Sequence, residues 1–280
     1  MGSNTDHSPS RNGAELLLRD LIFEHTGLYW DDSKLDILSG KLSSLISERG
    51  FNSFLDYYYL LKYDSDSSEE WDNVVNAVAV QETYFWREMD QINGLAEKVI
   101  PYLLSKNPLA PIKIWSAACA TGEEPLSIAM RLNEDRWFER ARIEIFASDA
   151  SPAALARAKA GLYGGRSFRS LPDHLKEKYF TQDEKQWRVS PALMDRITWR
   201  CANLLDTSTW DSIAHVPVIF CRNVFIYFRP ETIRQVVESF AERMGVPAFL
   251  FVGASESLLR STDYFELEEI GNAFVYVRRK

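Results

Sequence analysis

Ile112-Lys113-Ile114-Trp115-Ser116-Ala117-Ala118-Cys119-Ala120-Thr121-Gly122-Glu123-Glu124-Pro125-Leu126-Ser127 is the stretch that decides the fold. An apolar run of strand length passes into a loop of small residues, and a helical pattern begins at a pair of carboxylates. In a parallel α/β sheet such a junction puts the loop at the carboxyl end of the strand, where nucleotide-like ligands bind. Ala117, Ala118, Ala120 and Gly122 let a ligand come close to the backbone. Glu123 and Glu124 carry the wrong charge for a phosphate, which calls for Gly-rich turns and often a lysine. They suit a cation with hydroxyl groups. S-adenosylmethionine has that character: no phosphate, a sulfonium, an ammonium and two ribose hydroxyls. The plainer reading is a buried strand followed by a helix start whose acidic residues complement the dipole.

Outward from this segment the same grammar repeats. Arg142 to Ala147 reads as a second strand, followed by Ser148-Asp149-Ala150-Ser151-Pro152 and an alanine-rich helix to Ala160. Asp149 then sits where a carboxylate can accept hydrogen bonds from both ribose hydroxyls of an adenosine. Ser151 and Pro152 also fit a helix N-cap and first turn, with Asp149 as an ordinary turn residue; the two readings are compatible. No G-x-G-x-x-G accompanies the loop, which disfavours a dinucleotide. Ile197 to Cys201, Val216 to Cys221 and Ala248 to Gly253 read as further strands, a helical pattern runs from Pro230 to Met244, and Glu266 to Ile270 with Phe274 to Val277 suggest a closing antiparallel pair. Strands alternating with helices predict an α/β fold with one doubly wound, Rossmann-like sheet.

Five motifs in order carry a resemblance: Thr83-Tyr84-Phe85-Trp86-Arg87-Glu88, the Ser116 to Ser127 loop, Phe146-Ala147-Ser148-Asp149, Cys221-Arg222-Asn223-Val224-Phe225-Ile226-Tyr227-Phe228, and Val252-Gly253-Ala254-Ser255-Glu256-Ser257. Together they resemble the CheR family of chemotaxis receptor methyltransferases, from about Leu17 to the last strand. The resemblance implies an S-adenosylmethionine-dependent protein-glutamate O-methyltransferase that esterifies receptor side chains and releases S-adenosylhomocysteine. It implies Arg87 and Tyr227 at the reacting centre, and Gln81, Thr83, Arg87, Glu124, Asp149, Asn203, Leu204, Cys221 and Arg222 at the cofactor, joining Ala118 and Gly122 of the small-residue loop. Gln81 stands where many members have Asn. The family also inserts a small antiparallel β-subdomain that grips a receptor's C-terminal tail peptide by strand addition, and Tyr163 to Arg200 is longer than a crossover needs; Tyr179-Phe180, Trp187 to Val189 and Ile197 to Arg200 are its expected strands.

The organisation expected is a disordered polar tail over 1–12, an all-helical domain over 13–76, a linking helix over 77–91 within a pattern running from Trp71 to Gln91, and a methyltransferase domain over 92–280 with the insertion at about 163–200. Leu16 to Thr26, Leu35 to Glu48 and Phe51 to Lys62 carry the helical patterns of the first domain. The net charge is −8 over 280 residues. Residues 1 to 76 hold 6 basic and 14 acidic side chains against 26 of each in 77 to 280, so the whole surplus is in the helical part. That balance argues against a nucleic-acid partner. It also departs from the basic helical face that chemotaxis members present to receptors, although Lys34, Lys41, Arg49 and Lys62 could form a local one. Cys119, Cys201 and Cys221 and four histidines lack metal-ligand spacing, so no metal is expected. The N-terminus lacks the charged-then-apolar signal pattern and no apolar run reaches membrane-spanning length, which predicts a cytoplasmic protein without membrane insertion.

The chemistry implied needs few titrating groups. A glutamate is already ionised at neutral pH, so methyl transfer to it requires positioning and exclusion of water rather than a general base. The competing function is a non-catalytic sensor or scaffold that binds S-adenosylmethionine in a signalling array; Arg87 and Tyr227 count against it. A nucleic-acid methyltransferase is opposed by charge and by the absence of an N-P-P-Y motif. A small-molecule carboxyl methyltransferase leaves the helical domain without a role. The partner expected is the cytoplasmic domain of a chemoreceptor-like protein.

Overall fold

The computed structural model describes residues 13–64, 67–259 and 261–279. The expected tail over 1–12 lies outside the described residues. The chain divides into two compact units between Ala79 and Val80.

The first unit is helical: α1 (Gly13–Thr26), α2 (Leu35–Glu48), α3 (Phe54–Tyr63) and α4 (Ser68–Val78). Leu18 and Ile22 of α1, Leu38, Leu42 and Ile46 of α2, Tyr57 and Leu61 of α3, and Val74 and Val78 of α4 recur at helical spacing and close one apolar core. Ser53 caps α3 by accepting a hydrogen bond from the Asp56 amide. The four cations expected to form a basic face are each engaged. Lys34 pairs with Asp31, Lys41 donates to the Ala77 carbonyl, Arg49 pairs with Glu70, and Lys62 bonds the Tyr58 hydroxyl.

The second unit holds β1 (Ile112–Ala117), β2 (Ile143–Asp149), β3 (Leu162–Tyr163), β4 (Phe180–Asp183), β5 (Gln186–Val189), β6 (Ile197–Cys201), β7 (Val218–Cys221), β8 (Ala248–Phe251), β9 (Glu266–Ile270) and β10 (Ala273–Arg278). Seven of them form the main sheet in the order β6-β2-β1-β7-β8-β10-β9. β6, β2, β1, β7 and β8 run parallel, and β10 is antiparallel to both β8 and β9. The strand order reverses between β1 and β7, so the carboxyl ends of these two strands flank the switch point at which such sheets bind ligands. All four residues of β7 and of β8 are buried, as expected for strands covered on both faces. The acidic β9 forms one margin of the sheet and exposes Glu266 and Glu269.

Two expectations are corrected here. The pattern from Trp71 to Gln91 is not one helix, and no linking helix spans 77–91. α4 stops at Val78, the chain is non-helical from Ala79 to Tyr84, a turn follows, and the next helix is Met89–Gly94. Trp86 and Glu88 have positive φ (68° and 50°), which no helix accommodates. Phe85 is pulled out of any helical path into an aromatic cluster with Tyr163, Phe168 and Phe180. Secondly, the small antiparallel sheet is β3-β5-β4 and does not include Ile197 to Arg200. That segment is β6, paired with β2 from Ile145↔Ile197 to Asp149↔Cys201. Its alternation is that of a margin strand with one face exposed.

Candidate active site

Beyond β1 the backbone turns sharply. Ala118 and Ala120 take positive φ (60° and 48°) and Gly122 takes 93°. A Cβ on Gly122 would lie 2.8 Å from the Trp199 ring and 3.0 Å from Ala158, so glycine is required by packing as well as by φ. Asp149, at the end of β2, holds this loop: its Oδ2 accepts from the Ala120 amide at 2.8 Å and its Oδ1 from the Ser151 amide at 2.9 Å. Ser151 in turn caps the helix Pro152–Ala160. Burial pushes the Asp149 carboxyl above its ordinary range in spite of these backbone donors.

The centre of the site is Arg222, immediately after β7. Its side chain is 1% exposed and pairs with Glu124 and Glu88 at 3.0 Å each. It also donates to the Arg87 carbonyl at 3.0 Å. Two carboxylates therefore share one guanidinium, and the buried Nε of Arg222 has no partner. Glu124 further accepts from Ser116 Oγ at 2.7 Å. Burial raises the Glu124 carboxyl, and the opposing pull of Arg222 and Ser116 does not cancel it. Burial also acts on Glu88, but the charge of Arg222 and hydrogen bonds from Arg222, Asn223 and the Ala254 amide leave that carboxyl below its ordinary range. Glu256 ties the surrounding loops by accepting from the amides of Asn223, Ile226 and Gly253. Five of the seven non-glycine residues with positive φ among the described residues, Trp86, Glu88, Ala118, Ala120 and Asn223, belong to these segments. Backbone held in sparsely populated conformations collects at sites of function.

One cleft brings together Thr83, Arg87, Ala118, Glu124 and Arg222 of the expected site. Arg87 donates to the Glu82 carbonyl at 3.2 Å and lies 3.6 Å from a Glu88 oxygen, leaving its guanidinium at the cleft wall.

Other expected residues stand elsewhere. Gln81 lies in a neighbouring cleft, where it bonds Ser151 Oγ and accepts from Arg157. Gly122 packs beneath the loop. Asn203 is spent on its own turn, its Oδ1 accepting from the Leu205 amide. Leu204 and Cys221 are buried in the apolar core. Tyr227 ends a short turn, Phe225–Tyr227, and does not line the cleft. The carboxylate pair also splits: Glu124 faces the cleft, whereas Glu123 is buried and held by Thr121 and Ser167 hydroxyls.

Glu88, Ser116 and Asn223 were not expected to act. Glu88 is part of the T-Y-F-W-R-E motif, but an adjacent Arg-Glu pair on an assumed helix reads as solvated charge. Only its positive φ and its partner 134 positions later in the chain, neither visible locally, reveal its place. No group of three or more potential metal ligands occurs among the described residues.

The donor set fits S-adenosylmethionine on its chemistry: carboxylates for positive charge and hydroxyls, guanidinium groups for a carboxylate, and a small-residue loop that a ligand can approach. Comparison with known proteins agrees. The family model for the CheR methyltransferase SAM binding domain matches residues 81–274, and that for the CheR methyltransferase all-alpha domain matches residues 16–79. The chain is 33% identical over 263 residues to chemotaxis protein methyltransferase 2 of Vibrio cholerae serotype O1, covering 93% of this chain and 91% of the relative. It is 30% identical over 269 residues to chemotaxis protein methyltransferase 1 of Pseudomonas aeruginosa, covering 93% and 96%. A chemotaxis protein methyltransferase of Borreliella burgdorferi is 30% identical over 244 residues, covering 85% and 86%. With both its helical and its sheet unit matched in order, the chain belongs to the CheR methyltransferase family.

Proposed function

We propose that this protein transfers the methyl group of S-adenosylmethionine to glutamate side chains of a chemoreceptor, leaving glutamate methyl esters and S-adenosylhomocysteine. The observation that carries the reading is the Glu88–Arg222–Glu124 network, with Arg87 beside it, at the switch point of the sheet. When bound, the cofactor supplies a methyl group on a sulfonium. Glu124 offers its negative charge to the cationic part of the ligand, and Ala118 and Ala120 allow close backbone approach. Asp149, held by backbone amides, keeps acceptor capacity for a ribose hydroxyl. Arg87 orients an incoming carboxylate by paired hydrogen bonds. No residue has to remove a proton, because the acceptor is already ionised. Catalysis consists of alignment and exclusion of water.

A receptor partner also accounts for the small sheet, in which β4 is a free margin onto which a tail peptide adds as a further strand. Acceptor glutamates on the cytoplasmic part of a receptor place the enzyme in the cytoplasm. No helix among the described residues is long and apolar enough to cross a membrane. The test is incubation with methyl-labelled cofactor and a receptor cytoplasmic fragment, followed by mild alkali. Label released as methanol from the receptor is the expected result; absence of label, or label stable to alkali, overturns the proposal.

A further inference from the structure

The charge of the chain is unevenly placed in a second way. Residues 157–190 hold 8 basic and 4 acidic side chains, the reverse of the helical unit. Three of these cations, Arg157, Arg166 and Arg169, line one open cleft of about 530 Å³ together with Glu82, Thr83 and Glu123. All three arginines are exposed. Arg169 is held in place: it pairs with Glu82 at 2.8 Å, and its guanidinium lies 3.8 Å from the Tyr84 ring centre. Arg157 donates to Gln81 at 3.1 Å. Arg166 has no hydrogen bond or ion pair among the described residues. Of the two carboxylates, Glu123 is buried beneath hydroxyl donors, and Glu82 is matched by Arg169. The cleft therefore keeps a net positive charge on a surface whose chain is otherwise acidic.

Position gives this charge its meaning. Glu82 and Thr83 line both this cleft and the one that contains Arg87 and Glu124. The two clefts thus meet at a common rim. The acceptor of a glutamate methyltransferase is anionic by the nature of the reaction, and a segment carrying several such glutamates is a line of negative charge. The helical unit, with 6 basic against 14 acidic side chains over residues 1 to 76, is poorly suited to attract it.

We infer that the Arg157–Arg166–Arg169 cleft is the docking surface for the glutamate-rich segment of the receptor that is being methylated, holding flanking carboxylates while one glutamate enters beside Arg87. The inference rests on the methyl-transfer reading. It differs from strand addition at β4, which lies across the small sheet from β3 and concerns a tail peptide.

Charge at an interface rim acts on encounter rate and salt dependence more than on the chemical step. The test uses the full chain, a receptor cytoplasmic fragment, and the variants Arg166→Glu and Arg157→Glu/Arg166→Glu, with S-adenosylhomocysteine binding measured by calorimetry as a control on the fold. Expected are a KM for the fragment raised about tenfold or more in the double variant with kcat within about twofold, unchanged S-adenosylhomocysteine binding, and loss of the wild type's salt dependence. A fluorescent peptide with glutamates at helical spacing should bind the wild type and not the double variant; its glutamine counterpart should bind neither. Lysines substituted for flanking glutamates of the fragment should restore the double variant. An unchanged KM and salt profile, or equal peptide binding, overturns the docking surface while leaving methyl transfer intact. Failure of the wild type to methylate the fragment overturns both.

Discussion

Glu70 in the helical unit and Glu124 in the sheet unit are both largely buried carboxylates facing an arginine, yet their surroundings are built to different ends. Glu70 accepts from the Tyr57 hydroxyl at 2.6 Å and pairs with Arg49 at 2.7 Å, so the buried carboxylate meets one cation and one neutral donor, while the exposed Glu69 stands 3.8 Å from the same arginine. In the sheet unit Arg222 serves both Glu124 and Glu88, Arg87 stands 3.6 Å from Glu88, and one guanidinium N–H of Arg222 is left without a partner. The first arrangement is complete. The second opens onto a cleft lined by Arg87, Glu124 and Arg222, where a ligand can join it.

The harshest test of this contrast is Arg222→Met. Two half-buried carboxylates lose their buried common cation, and breaking such a pair by removing one partner costs up to about 3–5 kcal/mol. Denaturant unfolding should show that loss, and calorimetry should show no S-adenosylhomocysteine binding. Adding Glu88→Gln and Glu124→Gln should restore most of the stability and none of the binding. Recovery of binding as well would mean that the network only supports the fold.

Arg87→Ala should reduce kcat/KM about 100-fold or more, the range seen when a preorganised donor at a reacting centre is lost, with little change in unfolding midpoint. Arg87→Lys should rescue poorly, since an ammonium cannot reproduce a planar two-pronged contact. Near-normal rates of single-turnover methylation in both variants would return Arg87 to the role of a wall residue.

Glu70→Ala sharpens the other side of the comparison. It should destabilise the protein by about 2–3 kcal/mol, as expected for lost hydrogen bonds to a buried charged group, while S-adenosylhomocysteine affinity at a temperature where the protein remains folded stays unchanged. A fall in affinity would show that the helical network is not purely structural.

The smallest effect is one of pH. The Glu124 carboxyl lies above its ordinary range in the free protein, and a bound cation favours its ionised form. Affinity should then be full at high pH and decline, by up to about tenfold per unit, as pH falls through that raised value. Glu88 has the opposite sign. Its carboxyl is depressed, so its pairing contributes stability above the ordinary carboxylate range and loses it as pH falls through the lowered value. Cofactor affinity should therefore fail at a higher pH than folding stability. Calorimetry and thermal unfolding across a pH series would reveal a reversed order if Glu124 were not the group that meets the ligand.

The sheet was legible in the sequence because its strands repeat one pattern, an apolar run followed by small or turn residues and a helix start. β1, β6 and β9 begin where the apolar spacing places them, and Ser151 and Pro152 announce the helix that follows β2. Less legible was everything that depends on backbone in the left-handed region. Trp86 and Glu88 have side chains that suit a helix, and only their packing against Phe85's aromatic cluster and Arg222 bends the chain away from one. The site was half readable for the same reason. Arg87, Glu124 and Arg222 lie in motifs and do meet in the cleft, whereas Glu88, Ser116 and Asn223 owe their place to contacts with residues far away in the chain. Resemblance alone carries Tyr227, Asn203 and Leu204 toward the cofactor, since none of the three lines the cleft that holds Arg87 and Glu124.

A last consequence follows from β9. Its backbone is bonded on one side only, to β10, and an unpaired strand is a template on which another chain can grow. Glu266 and Glu269 stand exposed along it, and Glu268 is bridged to Arg279 at 2.7 Å. A second copy approaching this margin would bring like charges against each other before any ladder could form. The exposed ring of Phe274 on β10, 64% accessible, is thereby kept from nucleating stacked sheets. The row of glutamates works as a gatekeeper against aggregation, and the sheet can end in open solvent without a covering helix.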